Sequence, residues 1–192
     1  MASLAIAVMM NVDTVPRPTG PVRTATITIS VPPPTPEVRK MITELEGRSE
    51  HSSDPKDWVR LGQAYSATGR TGDAKSAYTK AYELAPDNPQ VVAEYAWSLY
   101  SQDSHNARDP AHSVYQRLHQ LDPGHPQALS YLGMAAVQRG DYRSALAHWE
   151  ELLKTLPPGS PSADDVKRAI SKTRALASTS TRDGTDSGGH AN

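Results

Sequence analysis

The stretch Trp58-Val59-Arg60-Leu61-Gly62-Gln63-Ala64-Tyr65 begins a residue pattern that ends at Pro86 and then recurs twice along the chain. Its members are large, small and aromatic residues, namely Trp58, Leu61, Gly62, Tyr65, Ala74, Tyr78, Ala81 and Pro86. The last copy lies 71 residues further on, at Leu129, Leu132, Gly133, Ala145, Trp149, Leu152 and Pro157. The middle copy lies 34 residues after the first at Val92, Ala96 and Leu99, and 37 residues after it at Ala111, Tyr115, Leu118 and Pro123. Three extra residues therefore lie between Ser101 and Pro110.

A period of 34 residues with this composition resembles the tetratricopeptide repeat (TPR), in which each copy is a pair of antiparallel helices. Neither helix of a pair buries its apolar side alone, so neighbouring pairs stack into a solenoid. A proline ends each second helix, because the residue before a proline is pushed out of the helical region. The small residues that let the two helices of a pair approach closely are Gly62, Ala96 and Gly133. The residues that fill the space between copies are Tyr78, Tyr115 and Trp149.

The sequence therefore predicts an all-α fold, a TPR solenoid of three helix pairs with an N-terminal packing helix and a C-terminal capping helix. The predicted TPR domain covers 36–177, with the packing helix over 36–49, repeats over 55–88, 89–125 and 126–158, and the capping helix over 162–177. Ser162 is expected to cap that last helix, with Asp164 and Asp165 in its first turn. The predicted flanks are an apolar and Pro-rich segment over 1–35 and a disordered tail over 178–192.

Composition narrows the class of partner. The chain has 192 residues, a formal net charge of −1 and a pI near 6.7. Nucleic acids and anionic membranes usually bind a basic face, so neither is expected as the main partner. Cysteine is absent, which excludes a disulfide, a cysteine zinc site and a CxxCH haem-attachment site in this chain.

The N-terminal segment leaves two interpretations open. Residues 2–10 are apolar, but they are about half as long as the roughly 20 residues that span a bilayer. They are either the tail of a membrane anchor or an unstructured terminus with accidental apolar content. Residues 11–36 are rich in proline and predict an extended spacer, within which 24–31 alternate at period two and could form a short edge strand.

The first helix of each pair is expected to line an inner groove. The side chains predicted to point into it, one turn apart and outside the core, are Val59, Gln63 and Ser66, then Ala93, Trp97 and Tyr100, then Ser130, Met134 and Val137. Trp97 and Tyr100 stand out because the repeat does not require aromatic residues there, and such side chains often anchor a bound peptide. The alternative is that both pack under the inserted loop between Ser101 and Pro110 or against a neighbour.

Catalysis finds little support in the sequence. It has neither a glycine-rich phosphate loop nor a local Ser, His and Asp set. His105, His112 and His119 recur every seven residues, but His112 and His119 lie ~10.5 Å apart along a helix. Side chains that far apart do not share one metal ion, so we expect no metal site. Because the catalytic motifs are missing as well, we expect no enzyme activity and no cofactor. An enzyme or metal protein built on helices is the rival class.

A narrower resemblance lies in the third copy. The stretch Gly133-Met134-Ala135-Ala136, followed by His148-Trp149-Glu150 and by Leu156-Pro157-Pro158-Gly159-Ser160, is similar to the TPR domain of cytochrome c biogenesis proteins of the CcmI/NrfG type. The insertion in the middle copy and Asp57-Trp58 ahead of the first copy agree with that family. The resemblance spans roughly residues 36–177.

The resemblance implies a function for the chain. Members of this family are apocytochrome-binding subunits of the bacterial haem lyase complex, so the chain is expected to be a periplasmic, chaperone-like module tethered to the inner membrane. It would hold the C-terminal segment of an apocytochrome c and present it to the partner subunits that attach haem. The alternative is a general TPR scaffold for another envelope assembly.

Overall fold

The computed structural model describes residues 34–102 and 110–186, and within them it contains eight α-helices and no strand. The helices are α1 (Pro36–Ser49), α2 (Pro55–Ala67), α3 (Thr71–Leu84), α4 (Pro89–Gln102), α5 (Pro110–Leu121), α6 (Pro126–Gln138), α7 (Tyr142–Thr155) and α8 (Pro161–Asp186). By their positions in the chain, α2 with α3, α4 with α5, and α6 with α7 correspond to the three predicted repeats. The predicted all-α class is confirmed.

Local sequence signals explain where the helices begin. The Asp54 carboxylate accepts a hydrogen bond from the backbone N–H of Lys56 at 2.9 Å, and Pro55 occupies the first turn of α2. Both residue types are favoured there, because the first N–H groups of a helix have no partner within it. At α8 the backbone N–H of Ala163 donates to the Ser160 hydroxyl at 3.2 Å. The expectation that Ser162 caps this helix is therefore wrong, since Pro161 already lies inside it.

Glycine closes two of the turns within the helix pairs. Gly69 follows α2 with φ of 75°, and Gly140 follows α6 with φ of 74°. This left-handed backbone conformation costs a residue with a side chain about 1–2 kcal/mol, whereas glycine adopts it freely.

The described helices form two compact units, with the boundary between Val114 and Tyr115. The N-terminal unit contains α1 to α4 and the start of α5. Its core joins α1 to α4 and consists of Ile42, Val59, Leu61, Tyr65, Ala74, Ala77, Tyr78, Ala81 and Val91. The rings of Tyr82 in α3 and Tyr95 in α4 stack with centroids 4.7 Å apart, which links the first pair to the second.

The close approach of α2 and α3 depends on Gly62. A Cβ atom added to Gly62 would lie 2.7 Å from Cε1 of Tyr78, which is 2% exposed. Carbon atoms in contact are normally about 3.5–4.0 Å apart. The ring of Tyr78 thus lies directly on the backbone of α2, and the role predicted for Gly62 is confirmed.

The C-terminal unit contains the rest of α5 and α6 to α8. Its core consists of Leu129, Ala136, Ala145, Trp149, Leu152, Val166 and Ile170. A Cβ atom on Gly133 would lie 2.9 Å from Cε2 of Trp149, which repeats the glycine-aromatic contact of the first pair. The rings of Tyr115 and Tyr131 stack with centroids 4.2 Å apart.

Helix α8 packs on the third pair through Val166 and Ile170, as a capping helix should. It continues to Asp186, where the sequence predicts disorder after residue 177. In this extension the hydroxyls of Ser178 and Thr179 donate to the backbone carbonyl of Ala175. Serine and threonine inside a helix often satisfy their hydroxyl groups in this way.

Several expectations concern residues outside the described ranges. They are the apolar segment and spacer over 1–33, the edge strand over 24–31, the inserted loop over 103–109 and the end of the tail over 187–192. In the ranges that are described, no helix combines the length and the apolar character that crossing a membrane requires.

The glycine-aromatic contact predicts opposite effects of one methyl group at two glycines. Gly62→Ala should lower the free energy of unfolding by about 1–3 kcal/mol, because its Cβ would overlap the buried Tyr78 ring. Gly72→Ala in α3 is the matched control. A Cβ there would have no atom within 4 Å, so alanine should raise stability by up to about 1 kcal/mol. Urea unfolding of both variants measures this, and equal effects at the two positions would contradict the contact.

The core position of Trp149 predicts a large loss on truncation. Trp149 is 5% exposed and shares a core with Val166 and Ile170 of α8. Trp149→Ala should therefore cost about 3–5 kcal/mol, measured by thermal or urea unfolding followed by circular dichroism. A variant that melts within a degree or two of the parent would show that the ring does not support this core.

Candidate binding face on helices α2 and α4

The first helices of the first two pairs meet through a polar contact. The side-chain amide of Gln63 in α2 donates a hydrogen bond to the Glu94 carboxylate in α4, with 2.9 Å between Nε2 and Oε1. Gln63 is exposed and Glu94 is partly exposed. The contact brings together one side of each helix, and the residues on this α2–α4 face are Gln63, Ser66, Glu94, Trp97 and Tyr100.

Tyr78 connects the α2–α4 face to the core. Burial and then the negative charge of Glu94 raise the pKa of Tyr78 to about 12. Hydrogen bonding to Glu94 acts in the same direction, and hydrogen bonding to Ser66 acts against it. The phenol therefore stays protonated near neutral pH and provides a donor next to the Glu94 carboxylate.

Two aromatic side chains follow Glu94 along α4. The rings of Trp97 and Tyr100 are tilted by 36°, with centroids 5.9 Å apart, and both side chains are partly exposed. This spacing is typical of an aromatic pair in contact. Residues 103–109, under which the alternative interpretation packs both rings, lie outside the described residues.

Two residues predicted for the groove in the N-terminal unit have little exposed surface. Val59 is 9% exposed and belongs to the core cluster, so its prediction as a side chain outside the core is wrong. Ala93 is 5% exposed and contributes at most backbone and a methyl group. Both lie at the margin between the buried and open sides of their helices, where spacing alone does not decide burial. Gln63 and Ser66 are exposed.

The three predicted residues of the C-terminal unit differ in exposure. Ser130 is 4% exposed, while Met134 and Val137 are partly exposed and pack against the core of that unit. The prediction that the side chain faces an open groove is wrong for Ser130. Helix α6 reads Pro-Gln-Ala-Leu-Ser-Tyr-Leu-Gly-Met-Ala-Ala-Val-Gln over 126–138, and a helix that is apolar on most sides is enclosed by its neighbours.

The repeat pattern did not identify Glu94 as a residue of the α2–α4 face. It is the sole charged residue among the fourteen of α4, and it precedes Trp97 by three positions. Residues three apart on a helix are neighbours on its surface. The sequence feature that could have identified it is an acidic side chain one helical turn before a tryptophan that the repeat does not require.

The histidines are arranged differently from the heptad spacing in the sequence. His119 of α5 lies beside His148 of α7, with ring centroids 5.5 Å apart and the planes nearly perpendicular. His105 lies outside the described residues. In the parts of the chain that are described, no three histidine, cysteine, aspartate or glutamate residues form a group that could hold a metal ion.

The environment of His148 favours its neutral form. Burial, then the charge of His119 and that of Arg139 lower the pKa of His148, while Asp141 acts against them. Burial also lowers the pKa of His125, against the attraction of Asp122. Both groups therefore bind protons less readily in the folded chain than in the unfolded chain.

Comparison with protein families gives a match over most of the domain. The model described as the cytochrome c-type biogenesis protein H TPR domain matches residues 37–163. This confirms the family predicted from the third copy.

Two bacterial relatives are cytochrome c-type biogenesis proteins. The chain is 27% identical over 138 residues to the cytochrome c-type biogenesis protein CycH of Pseudomonas aeruginosa, which covers 71% of this chain and 34% of that protein. It is 29% identical over 130 residues to the cytochrome c-type biogenesis protein CcmH of Escherichia coli, which covers 68% of this chain and 35% of that protein. The match thus spans about a third of the length of these curated relatives.

Solved structures support the TPR fold. The C-terminal part of a TPR repeat-containing protein from Cytophaga hutchinsonii superposes with a TM-score of 0.56 at 25% identity, over 67% of this chain and 53% of that chain. The MamA protein superposes with a TM-score of 0.59 at 16% identity, over 76% of this chain and 78% of that chain. The predicted TPR architecture is confirmed.

The histidine environment predicts a loss of stability in mild acid. Because the folded-state pKa of His148 lies below its unfolded value, protonation favours unfolding as the pH falls through about 6.5 and below. His148→Gln should make the free energy of unfolding fall less steeply between about pH 7.5 and pH 5. Urea unfolding across this range measures the slope, with His51→Gln at an exposed position as the control. An unchanged slope in His148→Gln would contradict the prediction.

Proposed function

The chain belongs to the TPR-domain family of cytochrome c-type biogenesis protein H, and we propose that it serves cytochrome c maturation as a peptide-binding module. In this role it holds the C-terminal segment of an apocytochrome c for the haem lyase complex. Its relatives are cytochrome c biogenesis proteins with a TPR domain, which supports the process; the segment that it holds is our proposal.

The observation that carries the proposal is the α2–α4 face. It combines the partly exposed rings of Trp97 and Tyr100 with exposed polar side chains at Gln63 and Ser66. An amphipathic segment binds such a surface by inserting an apolar side chain against the rings while its backbone or polar groups meet the amide and hydroxyl. Tryptophan and tyrosine are enriched among residues that dominate binding energy, since they offer large contact area with few rotatable bonds.

The proposal assigns binding to this chain and haem attachment to other subunits. The cysteine thiols of the apocytochrome must be reduced before haem is attached, and a chain without cysteine cannot reduce them by thiol–disulfide exchange. Holding an unfolded segment requires only a complementary surface. The partners proposed are therefore the apocytochrome and the haem-attaching subunits.

The place of action follows from the same process. We propose that the module lies on the periplasmic side of the inner membrane, where the apolar residues 2–10 and the proline-rich spacer over 11–36 would tether it.

Peptide binding gives a direct test. A peptide covering the C-terminal helix of a c-type apocytochrome should bind with a Kd of about 1 μM, equivalent to about −8 kcal/mol. Trp97→Ala and Tyr100→Ala should each weaken binding by at least about 1 kcal/mol, because each removes ring surface from the contact. Titration calorimetry measures the affinity. Met41→Ala is the matched control, since Met41 is 48% exposed on α1 and lies outside the α2–α4 face.

Two outcomes would contradict the proposal in different ways. If the peptide binds but both aromatic variants keep full affinity and a parental melting curve, the α2–α4 face is not the site. If the folded holo-cytochrome binds as tightly as the free peptide, the module does not select an unfolded segment. A pull-down from envelope extracts that returns no cytochrome maturation protein would favour the general scaffold.

A further inference from the structure

Glu94 places a negative charge on the α2–α4 face. Its carboxylate accepts a hydrogen bond from the side-chain amide of Gln63 at 2.9 Å. The amide is a neutral donor, so this bond holds the carboxylate without supplying a countercharge.

The basic residue that precedes Gln63 by one turn of α2 has a partner elsewhere. The guanidinium of Arg60 lies 3.4 Å from the carboxylate of Asp57, which is 6% exposed. A buried carboxylate holds a basic partner more firmly than an exposed one does, because water screens the pair less. The Glu94 carboxylate is therefore the charge that a ligand on this face would meet beside Trp97.

The spacing on α4 defines what would fit. Glu94 and Trp97 are three residues apart, so their Cβ atoms lie about 5–6 Å from each other on the helix surface. A ligand that contacts both needs a cationic group and an apolar group at a similar separation. In a helical peptide, residues three or four positions apart meet that requirement.

We propose that the Glu94 carboxylate selects peptide segments in which a Lys or Arg lies one helical turn from the apolar side chain that contacts Trp97. This inference rests on the proposed function and names the class of segment that the module binds. A peptide carboxylate or an acidic segment in the same position would bring two negative charges together on this face, which disfavours it.

The pre-positioned carboxylate makes such selection effective. A flexible surface glutamate loses side-chain freedom when it forms an ion pair, and that loss offsets much of the attraction. Glu94 is already held by Gln63, so less freedom is lost when a cation arrives. The ion pair would form beside an aromatic pair that excludes water from one side, where charges attract more strongly than in bulk solvent.

The experiment removes one charge from the peptide and one from the protein, separately and together, and measures the affinity of each combination. The probe is a peptide that covers the C-terminal helix of a c-type apocytochrome and contains Lys or Arg, together with copies in which each basic residue is replaced in turn by Gln. Each peptide is titrated against the parent chain, Glu94→Gln and the control Glu83→Gln. Glu83 is exposed on α3 and pairs with Lys80, so the control changes the net charge equally at another surface.

The expected result is a coupling between one basic residue and Glu94. On the parent chain and on Glu83→Gln, one Gln copy should bind about fivefold more weakly than the original peptide binds. This difference is the scale of a single partly exposed ion pair. Glu94→Gln should bind the original peptide and that copy equally. Raising the salt concentration should shrink the fivefold difference in the parent.

Three outcomes would overturn the inference, and they are distinguishable from failure of the proposed function. If all Gln copies bind the parent as the original peptide does, no basic residue is selected, although peptide binding stands. If one copy is weakened equally in the parent and in Glu94→Gln, the basic residue contacts another group. If the original peptide does not bind the parent, the proposed function fails and this inference fails with it.

Discussion

The contact between a glycine backbone and an aromatic ring sets the distance between paired helices in this chain. Tyr78 lies on Gly62 and Trp149 lies on Gly133, each so close that a single methyl group would overlap the ring. The axes of packed helices are generally about 8–10 Å apart, depending on the side chains at the contact. In the first and third pairs that contact joins a glycine to a ring, and the ring belongs to the core of its unit.

This packing contact also shapes the surface opposite the core. The ring of Tyr78 is buried, and the negative charge of Glu94 on the α2–α4 face helps to raise the pKa of its hydroxyl. Because Gln63 donates to Glu94, the polar groups of this face are held by residues from two helices. A face that is ordered before it binds loses less conformational entropy on binding.

The repeat spacing was sufficient to predict the helices and the small residues at Gly62 and Gly133, whose type follows from sterics. It assigned Tyr78 and Trp149 to the space between copies, whereas each ring lies on the glycine of its own pair. Val59 was misplaced because a residue at the edge of an apolar stripe is buried or exposed according to the neighbouring helix. The sequence underestimates α8 because a composition rich in serine and threonine predicts disorder after residue 177, while the helix continues to Asp186.

The sequence did not predict contacts between residues that are far apart along the chain. Gln63 and Glu94 are 31 residues apart, and His119 and His148 belong to different helix pairs. Spacing within one helix gave no indication of either contact. Prediction of such pairs needs the relative rotation of two helices, which depends on all the side chains packed between them.

The glycine-aromatic contact also restricts how this sequence can change over generations. Alanine at position 62 clashes with the ring at 78, while a smaller residue at 78 leaves a cavity, which costs about 2–5 kcal/mol for a large apolar residue. Either single step removes a considerable share of the 5–15 kcal/mol by which most domains are stable. The two positions should therefore vary together among descendants of this chain. Gly133 with Trp149 shows that the same arrangement accepts a larger ring as long as the glycine remains.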